Sequence, residues 1–298
     1  MFENFELEGR GKKITGYSFE CDSPEHVVII IHGIGEHAGR YLRMAEHFAE
    51  KGIATLSMDL RGHGKTEGKR GHCAPRIEVL RDIDALIEYA EAKYPGLPIT
   101  MYGHSMGGNI TLDYRSRGRL NALPSKYIIS APWIKLVKPV TGALLSVVKL
   151  MSKLMPDKAI SSNCEEVDLG NLLYVRPYSK DPLVHPYISF LTAYEGFTKG
   201  NEIMAGTNED NEKAMATPLL IMHGTADKIC DIEGTREFAR IYGEKLEKKS
   251  LAGTMEYIEW EGYYHEIHNG GPDGQTGEEV INTAIEYILR QKENGPNE

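Results

Sequence analysis

The chain has 298 residues, of which 41% are hydrophobic and 26% charged, an ordinary composition for a soluble globular enzyme. Its formal net charge of -9 argues against nucleic-acid binding, which needs a basic surface, and against electrostatic docking on anionic lipid. The cysteines, Cys21, Cys73, Cys164 and Cys230, are far apart and lack metal-ligand spacing, so we expect free thiols and neither metal nor cofactor.

The first elements predicted along the chain are a β-hairpin and two strand–helix units. The acidic opening, Met1–Glu8, lacks the blocks of a secretory signal, and no run approaches the ~18 apolar residues of a membrane span, so we expect a cytoplasmic protein. The β-branched run Val27–Ile31 is typical of a strand buried on both faces, hence parallel and central. The remaining predictions are a hairpin over 2–20, a helix over 40–51, a strand over 54–58, a Gly-rich loop over 59–68 and a helix over 77–94.

The stretch Ile99–Gly108 carries the most informative motif. An apolar run ends in G-x-S-x-G, with Ser105 at its centre, and Asn109–Tyr114 then has a helical pattern. Strand, sharp turn and helix form the context of a nucleophile elbow, in which a strained turn exposes the serine hydroxyl. Gly103 and Gly107 supply the small residues that let the helix press against the strand. A Gly-rich turn with an idle serine is the alternative for the pentapeptide alone.

Strands that alternate with helices predict an α/β fold, with a mostly parallel central sheet covered by helices on both faces. Between residues 132 and 213 this alternation stops. Two apolar helical stretches, 140–155 and 187–197, predict a helical cap inserted over the carboxyl edge of the sheet, and the core would then comprise 1–131 and 214–298. Both stretches could instead be ordinary core helices, because a helix this apolar is usually buried.

Two polar residues follow the strands predicted after the cap. A strand over 217–223 leads to Asp227, and the last strand, over 255–260, is followed by His265. Ligands bind at the carboxyl ends of parallel strands, so both side chains are placed where chemistry is expected. His268 is a rival for His265, although the earlier histidine better fits a short catalytic loop.

A second carboxylate, Asp231, competes with Asp227. We assign it to capping the helix predicted over 233–243, since aspartate is a preferred N-cap residue. A closing helix is predicted over 278–292.

Ser105, Asp227 and His265 together have the chemistry of a catalytic triad. A serine hydroxyl is a weak nucleophile until a histidine takes its proton, and a carboxylate must orient that histidine and stabilise its charged form. The chain order serine, acid, histidine is the one found in α/β-hydrolases.

Such a triad also needs an oxyanion hole. One donor should be the backbone N–H of Met106, directly after the serine at a helix N-terminus. The second should be the N–H of Ile34, in the Gly-rich loop His32–His37 that follows an early strand. We expect structural roles for His32, which would orient that loop, and for the turn Arg61–Gly64.

These residues lie in motifs that resemble the monoacylglycerol lipase/lysophospholipase-like serine hydrolases of the α/β-hydrolase superfamily. The resemblance implies Ser105 as nucleophile, Asp227 as acid, His265 as base, and Ile34 and Met106 as oxyanion donors. The motifs span nearly the whole chain in the order of the family: His32–Tyr41, Asp59–Gly68, Gly103–Gly108, His223–Asp231 and Tyr264–His268.

The resemblance implies a serine esterase acting on a single-chain acyl ester such as a monoacylglycerol or a lysophospholipid. The apolar cap would hold the acyl chain and could touch a membrane surface transiently or pair with another copy. An amidase, a proline-releasing peptidase or a thioesterase on the same fold stays open, since Glu165, Glu166 and Asp168 could recognise an amino end. A non-catalytic ligand receptor is a third alternative. The cap residues expected to hold the chain are Leu144, Leu145, Val148, Met151, Leu154 and Met155.

Overall fold

The computed structural model describes residues 3–162, 166–175, 180–207, 212–251, 254–272 and 274–290. The strands are β1 (Glu3–Gly9), β2 (Lys12–Phe19), β3 (His26–Ile31), β4 (Ile53–Met58), β5 (Ile99–His104), β6 (Lys126–Ser130), β7 (Ala159–Ser161), β8 (Tyr187–Ser189), β9 (Leu219–Gly224) and β10 (Met255–Trp260). The α-helices are α1 (Leu42–Ala49), α2 (Arg76–Lys93), α3 (Met106–Arg117), α4 (Gly142–Leu154), α5 (Phe190–Met204), α6 (Glu212–Ala216), α7 (Ile232–Lys248) and α8 (Glu278–Leu289).

Eight of the strands form one sheet, in the order β1-β2-β4-β3-β5-β6-β9-β10. β1 and β2 are the predicted antiparallel hairpin, and β2 also pairs antiparallel with β4. From β4 to β10 all neighbours are parallel. The predicted α/β fold with a mostly parallel sheet is therefore confirmed, and the carboxyl ends of β3, β5, β9 and β10 lie along one edge.

β3 shows why its sequence is apolar without alternation. Val27, Ile29 and Ile31 pack into one buried cluster with residues of α2 and α3, whereas Val28 and Ile30 pack into a second with residues of α1 and α8. A strand covered by helices on both faces has no face for polar residues.

Several predicted helix ends differ from the structure. The stretch 187–197, predicted as helical, begins with the strand β8, and the helix α5 that follows continues to Met204. α7 was expected to stop at Gly243 but continues to Lys248, because buried Leu246 anchors the last turns against the core. The predicted helix over 40–51 begins with a 3-10 turn, Ala38–Tyr41, before α1. The predicted end of the closing helix, Lys292, lies outside the described residues, as does Cys164.

The two apolar stretches between β6 and β9 have different environments. α5 is half-buried: Gly196 packs against the Trp133 ring, which leaves no room for a Cβ. α4 packs on α5 but buries only Val148 and Ser152. The interpretation of α4 as an ordinary core helix is therefore wrong. Its exposed large apolar side chains are Leu144, Val147, Leu150 and Leu154, with 49%, 53%, 56% and 66% of their surface accessible.

The boundaries of the cap, 132 and 213, stay a prediction. The segment also contains the short antiparallel pair β7–β8, which is separate from the main sheet. Within the parts of the chain that the structure describes, no helix combines the length and apolar character needed to cross a membrane.

Candidate active site

Ser105 occupies a sharp turn between β5 and α3. Its φ of 56° is unusual for a residue with a side chain, and this conformation is typical of a nucleophile elbow. The flanking glycines are sterically required: a Cβ on Gly103 would collide with Thr111 Oγ1, and one on Gly107 with the carbonyl oxygen of Ile31. The turn thus forms where helix and strand approach too closely for any larger residue.

The structure brings the three predicted triad residues together from three strand ends. His265 Nε2 lies 2.9 Å from Ser105 Oγ, and His265 Nδ1 lies 2.7 Å from Asp227 Oδ2. Because a carboxylate only accepts, Nδ1 carries a hydrogen and donates it to Asp227, which leaves Nε2 free to accept from the serine hydroxyl. This arrangement can move a proton from Ser105 to His265.

Asp227 is buried, and its carboxylate is held by four groups. Oδ1 accepts from the backbone N–H of Ile229 at 2.8 Å and of Cys230 at 3.0 Å. Oδ2 faces His265 and also His223 Nε2, at 3.1 Å. Burial alone would raise the pKa of Asp227, but the charge of His265 and the hydrogen bonds from both histidines outweigh it and hold this pKa well below its usual range.

The rival residues have other partners. Asp231 accepts from the N–H of Glu233 at 3.0 Å at the start of α7, which confirms its predicted capping role. His268 packs against Tyr41, with ring centroids 5.2 Å apart, and burial lowers its pKa to about 4. Burial also opposes the charged form of His265, yet adjacent Asp227 raises the pKa of His265 above its ordinary value.

The expected oxyanion loop follows β3 directly. Ile34 lines the same small pocket as Ser105, and Met106 provides the first N–H of α3, which has no acceptor within its helix. His32 lies where we expected a structural residue, because its Nε2 accepts from the N–H of Leu60 at 2.9 Å and ties this loop to the next.

Residues between β7 and β8 also hold the expected oxyanion loop. The N–H of His185 donates to the carbonyl oxygen of Gly35 at 2.9 Å, and Asp181 Oδ2 lies 3.0 Å from His37 Nε2. Gly35 has a φ of 76°, and a Cβ there would collide with the carbonyl oxygen of His185. Residues between β7 and β8 therefore fix the path of the loop that carries Ile34.

A buried charged cluster lies beside the pocket and was not predicted. Arg40 lies between Glu36, 3.5 Å from its Nε, and Glu266, 3.2 Å from its Nη2. Burial and the charge of Glu266 raise the pKa of Glu36, against the effect of Arg40. Glu36 Oε1 accepts from the N–H of Gly33 at 2.5 Å and from the hydroxyl of Tyr41 at 2.9 Å. The four-residue spacing of Glu36 and Arg40 was the available signal.

The pocket at Ser105 is small, about 20 Å³, roughly the space of one water molecule. Leu169 and Ile229 are its apolar lining residues besides Ile34, and Ser105 is only 6% exposed. None of the six residues of α4 and its end that were expected to hold an acyl chain lines this pocket as far as the structure describes it. Leu144 and Leu154 are turned to solvent, and the binding of an acyl chain by these six residues stays a prediction.

One group of described residues has metal-ligand chemistry at short range. A carboxylate oxygen of Asp227, a nitrogen of His265 and the sulfur of Cys230 lie within 4.8 Å of one another. Asp227 and His265 are hydrogen-bonded to each other in the Ser105–His265–Asp227 chain, and this hydrogen bond accounts for their short distance.

Comparisons with known proteins identify a family and several relatives. A family model described as serine aminopeptidase, S33 (Hydrolase_4) matches residues 22–271. An uncharacterized abhydrolase domain-containing protein of Dictyostelium discoideum is 33% identical over 276 residues, a match that covers 92% of this chain and 27% of that protein. This chain therefore spans about a quarter of the Dictyostelium protein.

Two further relatives are similar over nearly their whole length. A monoacylglycerol lipase of Mycolicibacterium smegmatis is 30% identical over 268 residues, covering 89% of this chain and 90% of that protein. The crystal structure of the Paleococcus ferrophilus monoacylglycerol lipase superposes with a TM-score of 0.77 at 27% identity, covering 92% of this chain and 98% of the other.

Proposed function

The chain belongs to the Hydrolase_4 family of α/β-hydrolase enzymes, described as serine aminopeptidase, S33, and from this premise we propose that it is a serine carboxylic ester hydrolase acting on single-chain acyl esters. The observation that carries the proposal is the continuous hydrogen-bonded chain Ser105–His265–Asp227, with distances of 2.9 Å and 2.7 Å, beginning at a strained elbow. Nucleophile, base and acid are thus in contact without any rearrangement of these three side chains.

The proposed reaction has two halves. Ser105 Oγ attacks the ester carbonyl carbon while its proton passes to His265 Nε2, and the imidazolium then donates that proton to the leaving alcohol as the C–O bond breaks. The acyl group remains on Ser105. A water molecule, deprotonated by His265, attacks this acyl-enzyme, and the acid leaves as the proton returns to Ser105. Asp227 stays ionised and stabilises the imidazolium.

In both halves the N–H groups of Ile34 and Met106 would stabilise the tetrahedral oxyanion. The support for Met106 is its N–H at the first position of α3, where the helix itself offers no acceptor. The support for Ile34 is its place in the pocket with Ser105. Donors of this kind each contribute roughly 2.7–4 kcal/mol to the transition state.

We assign residues 132–213 as a cap that selects a single-chain acyl ester, such as a monoacylglycerol or a lysophospholipid. Leu169, within this segment, lines the same pocket as Ser105, and the N–H of Glu266 donates to the carbonyl oxygen of Leu169 at 2.5 Å. The names of the two lipase relatives support an acylglycerol. The pocket must widen before a substrate can bind, because its present volume admits only a water-sized molecule.

The exposed face of α4 supports a second role for the cap, transient contact with a membrane surface. Leu144, Val147, Leu150 and Leu154 follow one another at helical spacing on the solvent side. Long-chain acyl esters partition into lipid membranes. An apolar helix face can bind a membrane surface without electrostatic attraction.

Peptide hydrolysis is the second candidate function, since the family description names an aminopeptidase. Of the three acidic cap residues expected to recognise an amino end, Glu165 lies outside the described residues and the side chain of Glu166 is likewise not described. Asp168 Oδ1 lies 3.1 Å from Lys228 Nζ, so its charge is already compensated. This ion pair favours the esterase over the peptidase.

A fluorophosphonate probe and a substrate panel test the proposal. Wild-type protein should be labelled and Ser105→Ala should not; equal labelling of both would exclude Ser105 as the nucleophile. The panel compares glyceryl, lysophospholipid and p-nitrophenyl esters of graded chain length with aminoacyl anilides. Faster cleavage of the anilides than of the esters would favour the peptidase function over the esterase function.

A further inference from the structure

A second histidine contacts the carboxylate of Asp227. His223 is the penultimate residue of β9 and is fully buried. Its Nε2 lies 3.1 Å from Asp227 Oδ2, the same oxygen that accepts from His265 Nδ1 at 2.7 Å. Two imidazoles therefore share one carboxylate oxygen, and only one of them belongs to the Ser105 chain.

The neighbours of His223 define where its hydrogen lies. Nε2 faces Asp227 Oδ2 and, at 3.2 Å, the carbonyl oxygen of Cys230. Both atoms only accept, so Nε2 must carry a hydrogen and donate it. Nδ1 lies 2.8 Å from Oγ1 of Thr235, a buried residue of α7, and this hydroxyl can donate to it. The ring is thereby held at both nitrogens.

The two carboxylate oxygens of Asp227 have different hydrogen-bond partners. Oδ1 is occupied by the N–H groups of Ile229 and Cys230, which fix the backbone of the loop. Oδ2 has His223 on the strand side and His265 on the catalytic side. Without the N–H of His223, His265 would be the only side chain that donates a hydrogen bond to Oδ2 among the described contacts.

We propose that His223 is a positioning residue of Asp227. It orients Oδ2 toward His265 and weakens the hydrogen bond between Oδ2 and the Nδ1–H of His265. The inference rests on the proposed function, since Asp227 acts only through His265 and Ser105. A base that holds its proton too tightly stays charged at neutral pH and cannot accept from serine. A competing donor on the carboxylate keeps His265 in the neutral form that the first step requires.

The test measures the rate constant for fluorophosphonate labelling of Ser105 against pH in His223→Phe, His223→Gln and Thr235→Val. Phenylalanine keeps a ring but has no donor, whereas glutamine offers a side-chain N–H. We expect His223→Phe to lower the plateau rate about tenfold, as for loss of a hydrogen bond to a charged group, and to move the acid limb about one pH unit upward. His223→Gln should restore most of both.

A second readout needs no reaction: the low-field proton NMR resonance of His265 Nδ1–H. It should shift in His223→Phe and, because the ring loses one anchor, also in Thr235→Val. A folded His223→Phe with a wild-type pH limb and resonance would overturn the proposal, as would equal losses in the Phe and Gln variants with an unmoved limb. If His223→Phe does not fold, an unchanged resonance in Thr235→Val overturns it. Failure of wild-type Ser105 to label refutes the proposed function instead.

Discussion

The carboxylate of Glu36 accepts a hydrogen bond from the backbone N–H of Gly33, 2.5 Å away and directly before the proposed oxyanion donor Ile34. Glu36→Ala should free this peptide and lower kcat by about tenfold or more with little change in KM, because the oxyanion exists only in the transition state. Glu36→Gln keeps an acceptor oxygen and should retain most activity. Steady-state kinetics measure this, with Glu88→Ala, an exposed carboxylate on α2, as control. A change confined to KM would contradict the positioning role.

Removal of the nucleophile and of the acid should differ in degree. Ser105→Ala should lose about 10⁶-fold in kcat, and Asp227→Asn somewhat less, because an asparagine still leaves serine and histidine in contact. Ester turnover after active-site titration measures both. Asp227→Asn activity equal to wild type would remove Asp227 from the mechanism. Asp231→Asn, which alters the cap of α7 and the ion pair with Lys135, is the matched control.

The pH profile of kcat/KM should have its acid limb above 6.5, the ordinary pKa of histidine, because Asp227 raises the pKa of His265 and only the neutral imidazole accepts a proton. Asp227→Asn removes that charge, so its residual activity should show the limb at lower pH. A limb that does not move in Asp227→Asn would assign it to another group.

The same two groups contribute oppositely to the pH dependence of stability. The raised pKa of His265 stabilises the fold below the unfolded pKa, and this contribution is lost as the pH rises through the folded value. The depressed pKa of Asp227 stabilises the fold above its ordinary value of 3.8 and is lost as the pH falls further. Urea midpoints of wild type and Asp227→Asn should therefore converge in acid.

The elbow glycines should tolerate no methyl group. Gly107→Ala would drive a Cβ into the carbonyl oxygen of Ile31, so we expect a loss of about 1–3 kcal/mol in the free energy of unfolding, together with lost activity. Gly142→Ala is the matched control, because a Cβ there meets open space at the start of α4. Urea denaturation measures both. Equal midpoints would show that the elbow can relax.

Binding to lipid through the apolar face of α4 should be distinguishable from nonspecific binding through other exposed apolar residues. Leu150→Ser with Leu154→Ser should reduce cosedimentation with phosphatidylcholine vesicles severalfold and leave turnover of a short water-soluble ester unchanged. The matched control is Ile77→Ser with Leu123→Ser, two residues that are each 46% exposed outside the cap. Equal binding by both double variants would exclude α4 as the contact.

The sequence was sufficient where local chemistry and fold geometry agree. Ser105 could be found because its glycines are demanded by the strand–helix approach, and Asp227 and His265 because strand ends converge at one edge of the sheet. The exposure of α4 could not be predicted, since its composition is equally that of a core helix and only its packing partner decides. The charged cluster of Glu36, Arg40 and Glu266 was not predicted, because Arg40 and Glu266 are 226 positions apart in the sequence and meet only through the fold. His223 had a visible signal, a histidine four residues before Asp227.

Asp181 and His185 belong to the inserted segment, yet they hold the loop that carries Ile34. In the proposed enzyme, the segment that selects the substrate therefore also supports the oxyanion loop. A chimaera that exchanged residues 132–213 for those of a relative would also replace the supports of the oxyanion loop, and substrate selection and turnover would change in one step. Substitutions along the exposed face of α4 leave those supports in place, so they should alter the proposed contact with lipid while the rate on a water-soluble ester stays the same.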